Sequence, residues 1–490
     1  MNQQFRSWVF WLIFIPVAVI FFSRCANIVP PGGGPRDTLP PVLLQAKPAD
    51  STLHFEGHKI SFLFDEYVEL DNINDKLIVS PTLKRQPIVT AKLHTVTITF
   101  KDTLKPNTTY TFNFADGVRD LNERNPIEDF QYVLSTGNYL DSLQISGRII
   151  NAEQGTLDSN VAVMLYPGKS EDSIVSKEKP LYYAKSRHDG SFRFKNLAPG
   201  TYKIFALKEE DKDLTYSSSS ELIAFLEHPI TIQEKNISDV NMLLFMENDS
   251  TIKKPEHVDS LDLVELEETV KEDSKKKKLP KLTAQAKLDN GRQELSEPLR
   301  ITFSMPLKVV DSNRILLQQD STLEQVEFHT HLDSLKTTMT LIYPWKENMK
   351  YRLIIPKEAI KDTASQVMAK SDTINFSTKK LVEYSIFTAK LVISDSTRQA
   401  IDDTTMHYVV QLVQDKAIKY SGKAVNGTWT QELIIPGEYS VRILLDKNGN
   451  GKWDRGNYYT EPKRQPERVI LLPEKYNLKA GWNNIKTLTF

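Results

Sequence analysis

The sequence predicts an all-β protein built from tandem β-sandwich domains, and it predicts that this arrangement is duplicated. Short runs such as residues 96–100 and 110–114 alternate apolar and polar side chains and are bounded by Pro, Asn, Asp or Gly. Short strands at this spacing are typical of sandwiches and barrels. A chain of 490 residues is also too long for one core, so we expect several domains.

The N-terminus carries an export and anchoring pattern. Arg6 precedes an uncharged run at 8–22, and Arg24 and Cys25, the only cysteine in the chain, follow shortly after it. This layout is typical of a bacterial lipoprotein signal, in which residues 1–24 are removed and Cys25 is lipidated. An uncleaved membrane anchor stays open as the alternative, because Arg24 stands where a small residue is usual. The run is nevertheless short beside the roughly 20 residues of a spanning helix.

The remaining chain divides by composition. Pro and Gly dominate the start of residues 25–41, which predicts an extended tether. The linker at 247–283 is rich in acids followed by lysines, which favours a solvated segment, with a short helix near 260–277 as the alternative. The strand patterns around this linker predict four domains, at 42–138, 139–246, 284–380 and 381–490.

A repeat relates the two halves of the chain. Three residue pairs share a spacing of 237 positions and two pairs share a spacing of 241. The pairs are Gly190 and Gly427, Gly200 and Gly437, Tyr202 and Tyr439, and then Phe62 and Phe303, Tyr110 and Tyr351. These concordant offsets predict a tandem pair of two-domain modules.

Several stretches carry a family resemblance. Phe-Leu-Phe-Asp-Glu at 62–66, Leu-Lys-Pro-Asn-Thr-Thr-Tyr at 104–110 and Asp-Gly-Val-Arg-Asp-Leu-Asn at 116–122 resemble the bacterial Ig-like domain of surface-layer and other envelope proteins. Asp-Gly-Ser-Phe at 189–192 and Leu-Ala-Pro-Gly-Thr-Tyr at 197–202 resemble the transthyretin-like sandwich of carboxypeptidase regulatory domains. The residues around Cys25 are similar to uncharacterised envelope lipoproteins of Bacteroidota. These resemblances imply a fold and a location in the cell envelope, but no activity.

One stretch, residues 446–454, resembles the start of a calcium loop. Oxygen side chains stand at positions 1, 3, 5 and 9, and Gly stands at position 6. The candidate ligands are Asp446, Asn448, Asn450, Lys452 and Asp454. Position 12 is Asn457 rather than Glu, so Glu461 would have to supply the bidentate carboxylate. The alternative is a polar hairpin whose Asn-Gly pairs satisfy turn geometry. The first module offers Glu209, Asp211 and Asp213 at equivalent places, but Leu214 where Gly is needed.

Other features bear on function. With 62 basic and 63 acidic residues, the chain lacks the excess of positive charge that is typical of nucleic-acid-binding proteins. The sequence holds no nucleophile elbow and no His-Glu-x-x-His motif, so we expect no enzyme activity. His329 and His331 share one face of a predicted strand, and without a third ligand they favour an exposed strand over a metal pair.

Together these patterns predict a lipid-anchored protein of a Gram-negative envelope. We expect the lipid to place it on the outer membrane facing the periplasm, with the cell surface as the alternative. We expect a non-catalytic binding or structural module whose partner is an envelope protein or a glycan. The competing hypothesis is a glycan-binding accessory lipoprotein with weak calcium dependence, in which exposed Trp residues contact sugars.

Overall fold

Alternating sequence patterns become strands throughout the chain. In the strand 59–64, for example, Ile60, Phe62 and Phe64 are buried while Leu63 is exposed. The structure, a computed structural model, describes residues 36–208, 213–218, 220–247, 281–319, 324–400, 406–459 and 462–490. Its regular structure is almost entirely β, so the predicted fold class is confirmed. The predicted signal, Cys25 and most of the predicted linker lie outside these ranges.

The chain forms two units. The first comprises the residues up to Ser142 together with Asn196–Ala198, and the second comprises Leu143–Lys195 and Pro199–Phe490. For description we name four stretches of the chain segments I (36–142), II (143–247), III (281–380) and IV (381–490). The domain boundaries given by the sequence remain predictions.

Segment I is an assembly of three sheets around an aromatic core. Its strands are β1 (Leu43–Lys47), β2 (Lys59–Phe64), β3 (Val68–Leu70), β4 (Ile78–Ser80), β5 (Ile88–Lys92), β6 (Thr95–Thr99), β7 (Thr109–Asn113), β8 (Val118–Asp120) and β9 (Gln131–Ser135), with a short helix at Ile73–Lys76. The sheets have the orders β1-β2-β6-β5, β4-β7-β9 and β3-β8. Phe62 lies in the core, where its ring meets those of Phe114 and Tyr132 edge to face.

Segment II forms one eight-stranded sheet. Its strands are β10 (Leu143–Asn151), β11 (Ala162–Pro167), β12 (Tyr182–Lys185), β13 (Ser191–Leu197), β14 (Gly200–Lys208), β15 (Leu222–Phe225), β16 (Ile230–Ile232) and β17 (Ile237–Met246), with a 3-10 turn at Asp172–Ser176. The order is β12-β11-β14-β15-β17-β10-β13, and β16 pairs with β14. The strands β10 and β17 run parallel, with Arg148 opposite Asn241.

Segment III again has three sheets. Its strands are β18 (Ala284–Ala286), β19 (Arg292–Gln293), β20 (Leu299–Phe303), β21 (Leu307–Val310), β22 (Leu316–Gln319), β23 (Glu324–Val326), β24 (His329–Leu332), β25 (Thr338–Ile342), β26 (Lys350–Ile355), β27 (Ile360–Asp362) and β28 (Asp372–Thr378), with 3-10 turns at Ser312–Arg314 and Lys357–Ala359. The orders are β18-β20-β25-β24, β19-β28-β26-β22-β23 and β21-β27.

Segment IV has two sheets. Its strands are β29 (Ser385–Val392), β30 (His407–Gln414), β31 (Ala417–Lys423), β32 (Thr428–Ile434), β33 (Gly437–Asp446), β34 (Arg468–Leu478) and β35 (Asn483–Thr489), with a 3-10 turn at Leu381–Glu383 and a helix at Asp395–Ala400. The orders are β31-β30-β33-β34 and β32-β29-β35.

Equivalent hydrogen bonds recur in the two copies of the repeat. The hydroxyl of Tyr110 accepts the backbone N–H of Lys105 at 2.9 Å, and the hydroxyl of Tyr351 accepts that of Lys346 at 3.4 Å. Within the second unit, the N–H of Ile149 donates to the carbonyl of Gly190 at 2.9 Å. The N–H of Leu391 donates to the carbonyl of Gly427 at 2.8 Å in the same way. The repeat therefore extends to individual backbone contacts.

Candidate functional site

The candidate calcium loop begins where β33 ends, at Asp446. This carboxylate is fully buried, at 0% exposure. One of its oxygens accepts the backbone N–H of Gly449 at 2.7 Å, and the other accepts that of Gly451 at 2.8 Å. Both glycines have positive φ, near +72° and +77°, which side-chain-bearing residues rarely adopt. Asp446 therefore holds the loop in a tight turn through its own backbone.

The other candidate ligands gather around Asp454. The side-chain amides of Asn448 and Asn450 donate to the same carboxylate oxygen of Asp454, at 2.5 and 2.8 Å. The amide oxygens of Asn448 and Asn450 each accept a backbone N–H group of the loop. The group that Asn450 accepts is the backbone N–H of Lys452, at 2.7 Å. The structure thus brings all five predicted residues into one loop.

Glu467 belongs to this site, although the sequence analysis missed it. It lies just before β34, is 4% exposed, and accepts the backbone N–H groups of Lys447 at 2.8 Å and Asp454 at 3.0 Å. Burial raises the pKa of this carboxyl, and the nearby charges of Asp454 and Asp446 raise it further. No loop motif reaches so far along the chain, so spacing alone gave no signal for Glu467.

The types of side chain in the loop favour calcium binding, whereas the hydrogen bonds within the loop favour a turn without a metal ion. Carboxylate and amide oxygens are the ligands that calcium prefers. The oxygens of Asp446, Asn448 and Asn450, however, accept N–H groups of the loop itself. Among the described residues, no three His, Cys, Asp or Glu side chains are arranged to hold a metal ion. The loop is therefore satisfied as a polar hairpin, and calcium binding remains a prediction.

The remaining predicted positions add little to the loop. The backbone N–H of Asn457 donates to the carbonyl of Arg464 at 2.7 Å, which closes a small bridge. In the first module, Asp213 accepts the N–H of Thr215 at 2.6 Å, and Leu214 has a positive φ of 63°. Glu461, Glu209 and Asp211 lie outside the described residues, so their part in a site stays a prediction.

The chain that follows the loop inserts into segment II. Tyr458 is 3% exposed and belongs to the apolar core that segment II forms around Phe205 and Phe225. Its ring lies edge to face with that of Phe205, 5.6 Å between centroids, and tilted against that of Phe225 at 5.1 Å. A residue of segment IV thus completes a core of segment II.

Polar contacts surround this inserted tyrosine. One carboxylate oxygen of Glu247, a buried residue, accepts the backbone N–H groups of Tyr458 at 2.7 Å and Tyr459 at 2.6 Å. The other oxygen accepts the hydroxyl of Tyr216 at 3.1 Å. The hydroxyl of Tyr458 donates to the carbonyl of Asp172.

The carboxylate of Asp172 bridges the two segments electrostatically. It pairs with Lys203 of segment II at 2.5 Å and with Lys463 of segment IV. Hydrogen bonds from these two lysines, Lys203 first, lower the pKa of Asp172. The ammonium group of Lys463 also lies over the Tyr458 ring, 4.4 Å from its centroid.

Four tryptophans that could stack on sugars differ in their exposure. They are Trp345, Trp429, Trp453 and Trp482. Trp345 and Trp429 are buried, and the indole N–H of Trp453 donates to the carbonyl of Glu467 at 2.7 Å. Trp482 is 59% exposed, with Lys479 over its ring. Of these four tryptophans, only Trp482 is exposed enough to stack on a sugar ring.

The histidine pair stands where the strand pattern placed it. His329 and His331 are both exposed on β24. No cluster of metal-ligating side chains includes them among the residues that the structure describes.

Comparisons with known proteins find one family that matches two regions of the chain. Residues 37–136 and 280–378 match the family described as "Bacterial Ig-like domain". These two regions, which lie in segments I and III, are similar to the bacterial Ig-like domain, as their sequence resemblance implied. No catalytic family is indicated. No curated protein matches the chain.

Solved structures match the chain at low sequence identity and low TM-score. The major pilin subunit BcpA of Bacillus cereus is 10% identical, with a TM-score of 0.17, over 72% of this chain and 99% of that chain. The TIE protein of Bacillus anthracis is 9% identical, with a TM-score of 0.16, over 94% of this chain and 76% of that chain. The S-layer protein rSbsC(31-844) is 10% identical, with a TM-score of 0.15, over 91% of this chain and 54% of that chain. These scores are too low to carry a functional argument.

None of the helices within the described ranges is long and apolar enough to span a membrane.

Proposed function

We propose that this chain is a lipid-anchored protein of the cell envelope that acts as a non-catalytic structural or binding module. The anchor is supported by the N-terminal pattern that ends at Cys25. The module is supported by the two regions similar to the bacterial Ig-like domain and by the β-sheet architecture of all four segments. The lipid places the protein on the outer membrane, facing the periplasm, and the cell surface is the alternative location.

One observation carries the structural part of this proposal: segment IV is locked into segment II. Tyr458 and Glu247 are 211 positions apart, yet they are joined by a buried hydrogen bond. The backbone N–H of Val469 donates to the carbonyl of Ala152 at 3.1 Å, and Arg442 donates to the carbonyl of Glu153 at 3.2 Å. Contacts that fill a core resist relative motion of the two segments, as a protein that holds a partner in place requires.

Labelling with radioactive palmitate tests the anchor. We expect label in the full chain and none in Cys25→Ser, together with recovery of the native protein in the outer-membrane fraction. Chain without label, recovered from the inner membrane, would instead support an uncleaved helix and would contradict the lipid anchor.

Cross-linking in intact cells tests the module. The expected result is one or a few envelope partners that co-purify with the native chain. Cys25→Ser serves as the control, since a protein released from its membrane should lose those partners.

The second candidate function is a glycan-binding accessory lipoprotein with weak calcium dependence. The observation that favours it is Trp482, whose exposed indole beside Lys479 suits stacking on a sugar ring. The buried Trp345 and Trp429 cannot contribute in this way. A glycan array with and without calcium separates the two functions, because a purely structural module gives no saturable sugar signal.

A further inference from the structure

A polar cavity of about 420 Å³ opens on β10, β13 and β17 of segment II. Its volume lies in the range of small-molecule sites, roughly 300–1,000 Å³. Three arginines line it, Arg148, Arg187 and Arg193, and a single carboxylate, that of Asp239. The cavity is therefore strongly basic in a chain whose overall charge is close to zero.

Two of these arginines are not held by hydrogen bonds, although the charge of Arg148 helps the hydrogen bonds of Ser191 to lower the pKa of the Asp189 carboxyl. The side chains of Arg148 and Arg193 are exposed, and neither forms a hydrogen bond or an ion pair with any residue in the described ranges. The nearby acids are already engaged: Asp189 accepts the hydroxyl of Ser191 at 2.6 Å, and Asp239 accepts that of Ser238 at 2.8 Å. The guanidinium groups thus remain available to a ligand.

The second copy of this sheet shows that the fold does not need the arginines. The backbone N–H of Ile149 donates to the carbonyl of Gly190, and that of Leu391 donates to the carbonyl of Gly427. Ile149 and Leu391 therefore occupy equivalent positions in the two copies. The residue before each is Arg148 in segment II and Lys390 in segment IV.

The same correspondence extends to the other two arginines. Arg193 lies three residues after the hairpin glycine of segment II, and Thr430 lies three residues after the hairpin glycine of segment IV. At the spacing of 237 positions, Ala424 stands in place of Arg187. At these three positions segment IV has one cation where segment II has three.

We infer that this cavity binds an anionic carbohydrate, a sugar that carries carboxylate or phosphate groups. Guanidinium groups pair with such oxyanions through paired N–H donors. The remaining lining suits hydroxyl groups, because Ser146, Ser191 and Asn241 can donate or accept. Asp239 favours a sugar over an acidic peptide, because its carboxylate can accept a hydroxyl group and a sugar carries hydroxyls beside its anionic group. This site gives the binding module of the proposed function a ligand class, and all its residues belong to the second unit, independently of the lipid at Cys25.

The test is calorimetric titration of the full-length chain in neutral detergent with trigalacturonate. The test variant is Arg148→Ser/Arg193→Thr, and the matched control is Lys390→Ser at the equivalent place in segment IV. We expect saturable binding that weakens with salt and is lost when the sugar is methyl-esterified. The double variant should bind about tenfold more weakly or worse, because hydrogen bonds to charged groups are lost. The control should bind like the wild type.

Several outcomes would overturn the inference. They are equal binding of the esterified sugar, unchanged binding by the double variant, or binding of polyglutamate or phosphatidylglycerol vesicles without any binding of trigalacturonate or glucose 6-phosphate. Because both substituted arginines are exposed, an unchanged melting temperature confirms that each variant is folded. Palmitate labelling of the same preparations distinguishes failure of this site from failure of the anchor.

Discussion

The backbone N–H of Tyr458 donates a 2.7 Å hydrogen bond to the carboxylate of Glu247 across 211 positions of sequence. The carboxylate stands at the end of segment II, just beyond β17, and the tyrosine follows the candidate calcium loop of segment IV. This one contact joins the two halves of the repeat, because the ring of Tyr458 enters the core while its backbone is held at the rim.

Replacing Glu247 by alanine should destabilise the second unit. The change leaves the N–H groups of Tyr458 and Tyr459 and the hydroxyl of Tyr216 without their acceptor. Unsatisfied buried donors cost about 1–3 kcal/mol each, so we expect a loss of about 2–4 kcal/mol after partial rehydration. Urea unfolding measures it, and Glu234→Ala, at an exposed position, is the control. A loss below about 0.5 kcal/mol would mean that the contact does not stabilise the unit.

Replacing Tyr458 by alanine should loosen segment II as well as segment IV. Removal of a buried aromatic side chain costs about 3–5 kcal/mol. Its neighbour Tyr459 is 55% exposed and stacks on Tyr216, so Tyr459→Ala should cost much less. Hydrogen exchange should show faster exchange in β14 and β15 for Tyr458→Ala alone. Equal effects of the two variants would contradict the inserted core residue.

Acid should weaken the bridge at Asp172. Its lysine partners hold the pKa of this carboxyl below the ordinary value of 3.8. The stability that it contributes is therefore present above pH 3.8 and is lost as the pH falls through the lowered pKa. In Asp172→Asn this part of the acid dependence should be missing, whereas Glu234→Gln should keep it. Thermal melting between pH 2 and pH 5 measures the difference, and parallel curves for wild type and Asp172→Asn would refute it.

Glu467 should produce the opposite pH dependence. Burial and the neighbouring aspartates raise its pKa above the ordinary value of 4.5. Its contribution to stability is therefore greatest below pH 4.5 and is lost as the pH rises through the raised pKa. Glu467→Gln should abolish that slope, which the difference in unfolding free energy between wild type and variant reports at each pH. A difference that does not vary with pH would show that the carboxyl titrates normally.

Calcium is expected to bind the 446–454 loop weakly, with a dissociation constant on the order of 0.1–1 mM. A bound cation would relieve the repulsion among Asp446, Asp454 and Glu467. Calorimetry of the full chain should detect this binding, and Asp454→Ala should abolish it, while Asp213→Ala in the first module should leave it unchanged. Absence of any heat at millimolar calcium would assign the loop to turn geometry alone.

Sequence patterns predicted the local features of this protein well. The alternation in residues 96–100 predicted the buried face of β6, where Val96 and Ile98 are buried. The offset between Tyr110 and Tyr351 predicted equivalent positions that make the same hydrogen bond. The turn at Asp446 was also predictable, because its glycines lie within five residues of it. In each case the interacting residues are neighbours in sequence or copies of one another.

The contacts between segments II and IV were not predictable. Glu247 and Asp172 find their partners in segment IV through tertiary packing, as Glu467 does within segment IV, and no periodicity marks such positions. In the sequence, nothing distinguishes the inserted Tyr458 from the other aromatic residues that form strands. Its role depends on the space that Phe205 and Phe225 leave between them.

The insertion of Tyr458 also sets an order of events during biosynthesis. Segment II lacks a piece of its interior until the ribosome has made another 211 residues after Glu247. At about 5–20 residues per second, that delay is about 10–40 s. During this time the newly made segment II exposes apolar surface of Phe205 and Phe225 that the ring of Tyr458 later covers. Segment II reaches its mature state only when its own C-terminal copy arrives.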